Sequence, residues 1–351
     1  MKIVVLGLSI TSSWGNGHAT TYRGLLREMD RRGHEILFLE RDARWYEAHR
    51  DLPEPPFCRT LLYGSLDELF SEYGPEICDA DCVIVGSYVY QGIEVGKWVS
   101  RHARGIKAFY DIDTPVTLAA LARGECQYLS EDLIPCYDLY LSFTGGPTLD
   151  HLERHYGSRA ARPLYCSVDP LVHFPMPVTP RWDLGYLGTY SDDRQPGLEQ
   201  LLFQPAFHWR KGRFVVAGAQ YPASLKWPEN THHIEHLPPE CHSEFYSSQR
   251  FTLNLTRRQM LVAGYSPSVR LFEAAACAVP VVSDRWPGLE EFFTPGEEIL
   301  VASSAEEMLR FLQRFPEEAR RAIGERARAR VLGHHSAACR AEELEEYLTS
   351  L

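Results

Sequence analysis

Short apolar segments alternate with segments of helical periodicity along this chain, and prolines interrupt the alternation once. Residues 35–39 and 82–86 have the pattern of buried strands, and residues 19–32 have that of an amphipathic helix. Such alternation predicts parallel sheets with helices on both faces. Five prolines within residues 163–180 then break regular structure, and a second alternating series follows. The sequence therefore predicts two α/β domains joined near these prolines.

Composition narrows the class of protein further. A length of 351 residues suits two domains better than one core. The formal net charge of −11 argues against nucleic acid or an acidic membrane as the main partner. An apolar strand begins at once after Met1-Lys2, without the charged region and cleavage site of a signal peptide, and no apolar run approaches the about 20 residues of a membrane-spanning helix. We therefore expect a cytoplasmic protein without an integral membrane segment. The nine cysteines have no zinc-site spacing, so we also expect no metal.

Residues 265–284 predict a loop, a helix and a buried strand, in that order. Ser266 or Ser268 is placed to cap the helix. A loop that feeds a helix N-terminus is an anion site, and Arg270 in the first turn adds donors suited to phosphate oxygens. Glu273, one turn further on, is placed to accept hydrogen bonds from two hydroxyls such as those of a ribose. Together these residues predict a nucleoside diphosphate site, and a surface ion pair between Arg270 and Glu273 is the alternative.

The run Ser266-Pro-Ser-x-Arg-x-x-Glu273 resembles the donor site of GT-B glycosyltransferases, especially glycosyltransferase family 4 and its CgeB-like (spore maturation protein) branch. In the broad family 4 pattern two glutamates stand eight positions apart. The second matches Glu273, whereas Tyr265 occupies the place of the first. The resemblance implies an α/β GT-B fold, in which two Rossmann-like domains face each other across a cleft. Residues 1–168 would be the acceptor domain, 169–332 the nucleotide-sugar donor domain, and 333–351 a C-terminal helix that can pack back on the first domain.

The resemblance also implies an activity. It is that of a metal-independent glycosyltransferase of the hexosyltransferase type, which moves a sugar from a nucleotide-diphosphate donor to an acceptor hydroxyl. A UDP-sugar is favoured by family frequency, and retention of the anomeric configuration is favoured by family 4. The nucleotide sugar would be a co-substrate, so no cofactor is expected. The acceptor, whether small molecule, glycan or protein, stays open. A sugar-nucleotide 2-epimerase of the same fold and a non-catalytic nucleotide-sugar-binding protein are the alternatives.

Loops at the carboxyl ends of strands supply the remaining site residues of the first domain, because doubly wound sheets bind ligands there. The resemblance implies that Asn16, Gly17 and His18 contact the sugar or the acceptor, and His18 is also a candidate general base or a helix cap. Asp111 and Asp113 end another strand. A carboxylate in a partly dry cleft has a raised pKa and can take a proton from a hydroxyl. We therefore expect Asp113 to be catalytic and Asp111 to contact the acceptor, with a plain Asx turn as the alternative.

The second domain is expected to hold the donor. The resemblance implies diphosphate contacts from Thr189, Tyr190 and Arg194, and it implies that the loop around Leu237 reads the base. The loop containing Gln220 follows the next strand and is expected to hold the base by stacking and backbone bonds. Tyr265, in place of the missing glutamate, is assigned to the sugar. Solvated loops are the alternative for each of these assignments.

Overall fold

The protein is described here by a computed structural model, which covers residues 1–14 and 18–351. These residues form two compact units. The first comprises Met1–Ser167 with Ala337–Leu351, and the second comprises Val168–Ser336. Each unit contains a parallel sheet flanked by helices. The predicted pair of Rossmann-like α/β domains is therefore confirmed.

The first unit contains a seven-stranded sheet of order β3-β2-β1-β4-β5-β6-β7 within the described residues. Its strands are β1 (Lys2–Gly7), β2 (Glu35–Arg41), β3 (Arg59–Tyr63), β4 (Cys82–Gly86), β5 (Ile106–Asp111), β6 (Leu139–Ser142) and β7 (Ala161–Pro163). The helices between them are α1 (His18–Arg31), α2 (Arg44–Glu47), α3 (Leu66–Glu72), α4 (Gly74–Asp79), α5 (Gly92–His102), α6 (Thr114–Ala122) and α7 (Pro147–Arg154), with a 3₁₀ helix at Glu131–Cys136. The central strands are buried on both faces, which explains their almost continuous apolar sequence.

The second unit contains a six-stranded parallel sheet of order β10-β9-β8-β11-β12-β13. Its strands are β8 (Trp182–Leu187), β9 (Phe214–Ala217), β10 (Thr231–Ile234), β11 (Gln249–Asn254), β12 (Val281–Ser283) and β13 (Leu300–Val301). Its helices are α8 (Gln195–Leu198), α9 (Gln204–His208), α10 (His242–Ser247), α11 (Arg258–Ala263), α12 (Val269–Ala276), α13 (Leu289–Phe292), α14 (Ala305–Arg314) and α15 (Glu317–His334). A π-helical turn, Glu199–Phe203, joins α8 to α9, and a 3₁₀ turn, Pro239–Cys241, precedes α10.

The last helix, α16 (Ala337–Thr349), belongs to the first unit, where it packs against α1. Glu345 on α16 accepts from Arg32 Nη1 at 2.6 Å and lies 2.7 Å from His34 Nε2. Ala341 and Leu344 on the same helix are buried. No helix in the described part of the chain combines the length and apolar character needed to cross a membrane. The cysteines, which all lie in the described residues, are free thiols.

Candidate functional site

The strand order of the second sheet reverses between β8 and β11, so the carboxyl ends of these two strands border a crevice. Ligands of doubly wound sheets bind in such a crevice. Gly188 follows β8 at this point. A Cβ built on Gly188 would stand 2.8 Å from Arg270 Nη2 and 2.6 Å from the Tyr186 hydroxyl. The glycine therefore lets the guanidinium lie directly against the chain.

Arg270, in the first turn of α12, is the buried cation of this crevice and is 7% exposed. Its Nε donates to the Leu187 carbonyl. Its Nη1 donates to Asn254 Oδ1 at 3.1 Å and to Ser268 Oγ at 3.5 Å. The guanidinium carbon lies 4.7 Å from the centroid of the Tyr186 ring. These partners are uncharged, so they orient the guanidinium without neutralising it.

Arg194 and Arg257 add to the positive charge at the same place. Arg194 Nη2 donates to the Thr189 carbonyl at 2.7 Å, while its Nε is buried and has no hydrogen-bond partner among the described residues. Burial lowers the pKa of Arg194, and the charges of Arg270 and Arg257 lower it further, against the opposite effect of Asp193. Arg194 thus lies close enough to Arg270 and to Arg257 to be influenced by both charges. The forked donors of these arginines match the oxygens of a diphosphate.

The N-terminus of α12 holds the two serines predicted as anion contacts. Ser268 is the N-cap residue, but its hydroxyl donates to Asn254 Oδ1 at 3.0 Å and does not cap the helix. Asn254 in turn donates to Ser283 Oγ at 2.9 Å, so this amide joins the helix start to two strand ends. Ser266 is 1% exposed and faces the interior. The hydrogen bonds of Ser268 and Asn254 therefore fix the start of the helix. The N–H groups of a first helical turn have no partner within their own helix, so they are suited to bind an anion.

Two predicted site residues have left-handed backbones. Gln220, after β9, has a φ of 70°, and Tyr265, before α12, has a φ of 49°. For residues other than glycine this conformation costs about 1–2 kcal/mol, and such residues concentrate at functional sites. The Tyr265 amide donates to the Pro287 carbonyl at 2.7 Å. Gly288 leaves room for the ring, since a Cβ there would stand 2.4 Å from it.

The remaining predicted donor residues lie in loops after β8, β9 and β10. The Tyr190 amide donates to the Ala219 carbonyl at 2.9 Å, and its ring packs edge-on against Tyr221 with centroids 5.5 Å apart. The loops after β8 and β9 are therefore packed together. Leu237, after β10, is half-buried and its backbone is hydrogen-bonded to His242.

Glu273, one turn after Arg270 on α12, is also buried and is 4% exposed. The Tyr246 hydroxyl donates to Oε2 at 2.9 Å, and His173 Nε2 lies 3.6 Å from Oε1. Burial acts to raise the pKa of Glu273, but His173, His242 and the Tyr246 hydrogen bond bring it below its ordinary value. The carboxylate is thus charged and held from several sides.

In the first unit the strand order reverses between β1 and β4. His18 is the first residue of α1, and its Nε2 lies 3.8 Å from Asp113 Oδ2. The Tyr88 hydroxyl donates to the same oxygen at 3.0 Å. Asp113 is 6% exposed, and the His18 side chain is 29% exposed. The two residues predicted as catalytic therefore lie together, whereas Asn16 and Gly17 lie outside the described residues.

Asp111, two positions before Asp113, is fully buried. Its carboxylate accepts from the Tyr140 hydroxyl at 2.6 Å, the Thr117 hydroxyl at 2.8 Å and the Asp113 amide at 3.2 Å. Burial raises the pKa of Asp111 to about 6 in spite of these bonds. A contact between Asp111 and an acceptor would have to displace one of the three donors.

A further open depression of about 1060 Å³ in the first unit lies at the opposite edge of the sheet. Asp81, Lys107 and Asp138 line it, at the amino ends of β4, β5 and β6. Doubly wound sheets bind ligands at the other edge, so we do not assign this depression to the site.

Sequence reasoning did not single out several residues that the structure places at these sites. Asn254 carried a local signal, as a polar residue at the end of an apolar strand. His173, His242 and Tyr246 carried no local signal, because they reach Glu273 from segments that are distant in sequence.

Two Rossmann-type sheets in one chain, with a cationic crevice in the second, define the GT-B class of glycosyltransferase fold. Sucrose-phosphate synthase from Thermosynechococcus elongatus is similar with a TM-score of 0.69 and 15% identity, over 100% of this chain and 98% of that chain. HepE from Anabaena, solved with UDP-glucose, has a TM-score of 0.72 and 13% identity over 100% of both chains. An α-glucosyltransferase solved with UDP has a TM-score of 0.70 and 12% identity, over 99% of this chain and 100% of that chain.

The sequence itself also matches a family. Residues 194–346 match the model of a family described as glycosyl transferase-like. This segment includes Arg194, Arg257, Arg270 and Glu273, which all contribute to the site of the second unit. No curated protein sequence matches the chain significantly. Residues 194–346 are thus glycosyl transferase-like in sequence, and the chain has the GT-B fold.

Proposed function

We propose that this protein is a glycosyltransferase of the hexosyltransferase type that uses a nucleotide-diphosphate sugar, with a UDP-sugar favoured. The observation that carries the proposal is the grouping of Arg194, Arg257 and Arg270 at the switch point of the second sheet. Buried positive charge at that position calls for an anion, and a diphosphate supplies one with the right geometry. The glycosyl transferase-like segment and the similar structures solved with UDP or UDP-glucose support the choice of donor.

The donor would bind to the second unit. Arg270, Arg194 and the start of α12 with Ser266 and Ser268 would hold the diphosphate, and Thr189 and Tyr190 would flank it. Glu273 would accept hydrogen bonds from the ribose hydroxyls. Gln220 and Leu237 would hold the base, and Tyr265 would contact the sugar. No metal is required for this set of contacts, because guanidinium groups supply the positive charge.

The acceptor would bind to the first unit, beside Asp113 and His18, with Asn16 and Gly17 in contact with the acceptor or the sugar. In the reaction, the bond from the anomeric carbon to the diphosphate oxygen breaks, and a bond from that carbon to the acceptor oxygen forms. The acceptor proton passes to Asp113 or His18. The electron pair of the broken bond leaves with the diphosphate, whose growing charge the arginines stabilise. We propose retention of configuration and membership of the CgeB-like branch on the basis of the sequence resemblance, and a cytoplasmic location on the basis of the sequence features that predicted it.

Calorimetric titration with UDP, dTDP, GDP and NAD, each with and without EDTA, tests the donor site. We expect one pyrimidine diphosphate to bind equally with and without EDTA, and Arg270→Gln to weaken it by about tenfold or more, because a hydrogen bond to a charged group is lost. Arg210→Gln, which removes an exposed arginine of the same unit, is the control. Failure of every nucleotide to bind, or equal affinity for the Arg270→Gln variant, would contradict the proposal.

Product analysis separates transfer from the alternatives. With the UDP-sugar that binds best, a screen of acceptors should yield a glycosylated product and UDP, and Asp113→Asn should slow product formation while UDP still binds. Formation of an altered sugar and free UDP without an acceptor would indicate a 2-epimerase. Binding with no turnover under any condition would indicate a nucleotide-sugar-binding protein.

A further inference from the structure

His173 is a buried imidazole that no predicted function uses. It is 3% exposed, and neither ring nitrogen has a hydrogen-bond partner among the described residues. Leaving such a group without a partner in the interior costs free energy, so native structures seldom keep one without a reason. The Glu273 carboxylate lies beside its ring, with Oε1 3.6 Å from Nε2.

Two side chains of α10 approach the same carboxylate. The Tyr246 hydroxyl donates to Glu273 Oε2 at 2.9 Å. His242, one turn earlier on α10, is close enough to influence the charge of Glu273, and it is hydrogen-bonded to the backbone of Leu237. Oε2 is thus occupied by Tyr246, while Oε1 faces an imidazole at a distance too long for a strong hydrogen bond. Oε1 is the oxygen that retains its accepting capacity.

Burial lowers the pKa of His173 and of His242. The charge of Glu273 raises the pKa of both histidines, but burial has the larger and opposite effect. Arg270, on the same helix as Glu273, further favours the carboxylate. The other titratable groups facing the cluster are Cys277 just after α12, Glu240 before α10 and Arg328 on α15, which acts on Cys277. A neutral imidazole beside a carboxylate can orient the carboxylate without forming an ion pair with it, so the carboxylate can still accept hydrogen bonds from a ligand.

We propose that His173 and Tyr246 are positioning residues that fix the Glu273 carboxylate for the ribose hydroxyls of the donor, and that His242 couples this carboxylate to the loop around Leu237. This inference rests on the proposed donor site. It adds the means by which His173 and helix α10 hold the ribose-binding carboxylate of that site. Recognition of the base near Leu237 and of the ribose at Glu273 would then depend on one another through α10.

Two histidines and a glutamate close together can also form a metal site, which is the alternative interpretation of this cluster. The three candidate ligand atoms lie within 4.8 Å of one another. Zinc bonds of about 2.1 Å would draw any two ligands to within about 4.2 Å, so this set is looser than a formed zinc site requires. The Tyr246 hydrogen bond and the accepting Oε1 favour the positioning role, and zinc enters the test as a separate arm.

The test compares UDP with 2′,3′-dideoxyuridine 5′-diphosphate, which lacks both ribose hydroxyls, by calorimetry. We expect Tyr246→Phe and His173→Phe to weaken UDP binding by about tenfold and dideoxy-UDP binding by less than about twofold. His173→Gln, which keeps a polar group toward Oε1, should stay within about threefold of wild type. Tyr137→Phe is the matched control, since it removes a buried hydroxyl that has no hydrogen-bond partner among the described residues.

Each result has one meaning. If the wild-type protein does not bind UDP, the proposed donor site is wrong and the positioning role falls with it. If the wild type binds UDP but the variants weaken both nucleotides equally, or weaken neither, the donor site stands and the positioning role is overturned. If the variants differ from wild type only when zinc is added, or if EDTA abolishes the difference, the cluster is a metal site instead.

Discussion

Asp111 and Asp113 are two positions apart, yet their carboxylates have different surroundings. Asp111 is closed in by three donors and has no exposed surface. Asp113 has an oxygen shared by the Tyr88 hydroxyl and the partly exposed ring of His18. The first carboxylate therefore shapes the turn after β5, and the second is the one that a substrate can approach.

The raised pKa of Asp111 makes stability depend on pH. Burial raises the pKa of Asp111 in the folded state from 3.8 to about 6, so the folded protein binds this proton more tightly than the unfolded chain does. The stabilisation from this proton is fully present below pH 3.8 and is lost as the pH rises through about 6. We expect Asp111→Asn to gain stability relative to wild type by roughly 2–3 kcal/mol between pH 4 and pH 7. Urea unfolding of both proteins across this range measures the gain, and a constant difference would contradict the assignment.

Tyr88 is expected to act through Asp113. It has a left-handed backbone, with a φ of 64°, and its hydroxyl donates to Asp113 Oδ2. Tyr88→Phe should lower kcat for sugar transfer by about tenfold with little change in KM for the donor, because only the hydrogen bond to the carboxylate is lost. Tyr90→Phe, at an exposed residue of the same loop, is the control. Equal kcat values for both variants would show that the Tyr88 hydroxyl does not position Asp113.

At the scale of elements, α12 is fixed by close approach to α15. A Cβ built on Gly324 of α15 would stand 2.2 Å from the Ala278 carbonyl oxygen, just past the end of α12. Ala278 itself has a φ of 57°, so the chain turns sharply at this contact. The glycine allows backbone to meet backbone, and this contact sets the position of the helix that carries Arg270 and Glu273.

Gly324→Ala is therefore expected to be destabilising, by about 1–3 kcal/mol, because backbone must move to admit the methyl group. Gly333→Ala is the matched control on the same helix, where a Cβ would meet nothing within 4 Å. It should stabilise by up to about 1 kcal/mol through the better helix propensity of alanine. Chemical denaturation distinguishes the two signs. Stabilisation by both substitutions would mean that α15 can shift away from α12 without cost.

The elements and the donor loop were predictable because their signals are local. The strand and helix periodicities lie within single segments, and Arg270 and Glu273 lie one turn apart on one helix. The cluster around Glu273 was not predictable in this way, since His173 comes from a loop before β8 and Tyr246 from α10. The sequence predicted that His18 and Asp113 both follow strand ends of one sheet, but it did not predict that they contact each other. The distance between them depends on how α1 begins and how the turn after β5 closes.

At the scale of the whole molecule, the chain passes from the first unit to the second and back. The returning helix α16 adds to the first unit's core through Leu344 and Leu348, and the Tyr347 hydroxyl donates to the Pro163 carbonyl at 3.1 Å. Its charged side binds Arg32 through Glu345. The first unit is thus assembled from two stretches of sequence, whereas the second is one continuous stretch.

Removal of residues 337–351 should consequently destabilise the first unit and leave the second folded. We expect the truncated protein to lose protection from hydrogen exchange in α1 and β1 but to retain it in β8 and β11, and to keep binding UDP. Removal of residues 350–351 alone, which leaves α16 whole, is the control. Unchanged protection in α1 after the longer deletion would show that α16 contributes little to the first unit.

The same arrangement sets an order for folding during synthesis. A ribosome delivers the strands of the first unit early, but it delivers their closing helix only after the whole of residues 168–336 has emerged. The second unit can complete its core as soon as its own stretch is free, because domains fold as units. The part of the chain made first is thus the part finished last, and a nascent chain from which Ser336 has just emerged would carry a folded second unit together with an incomplete first one.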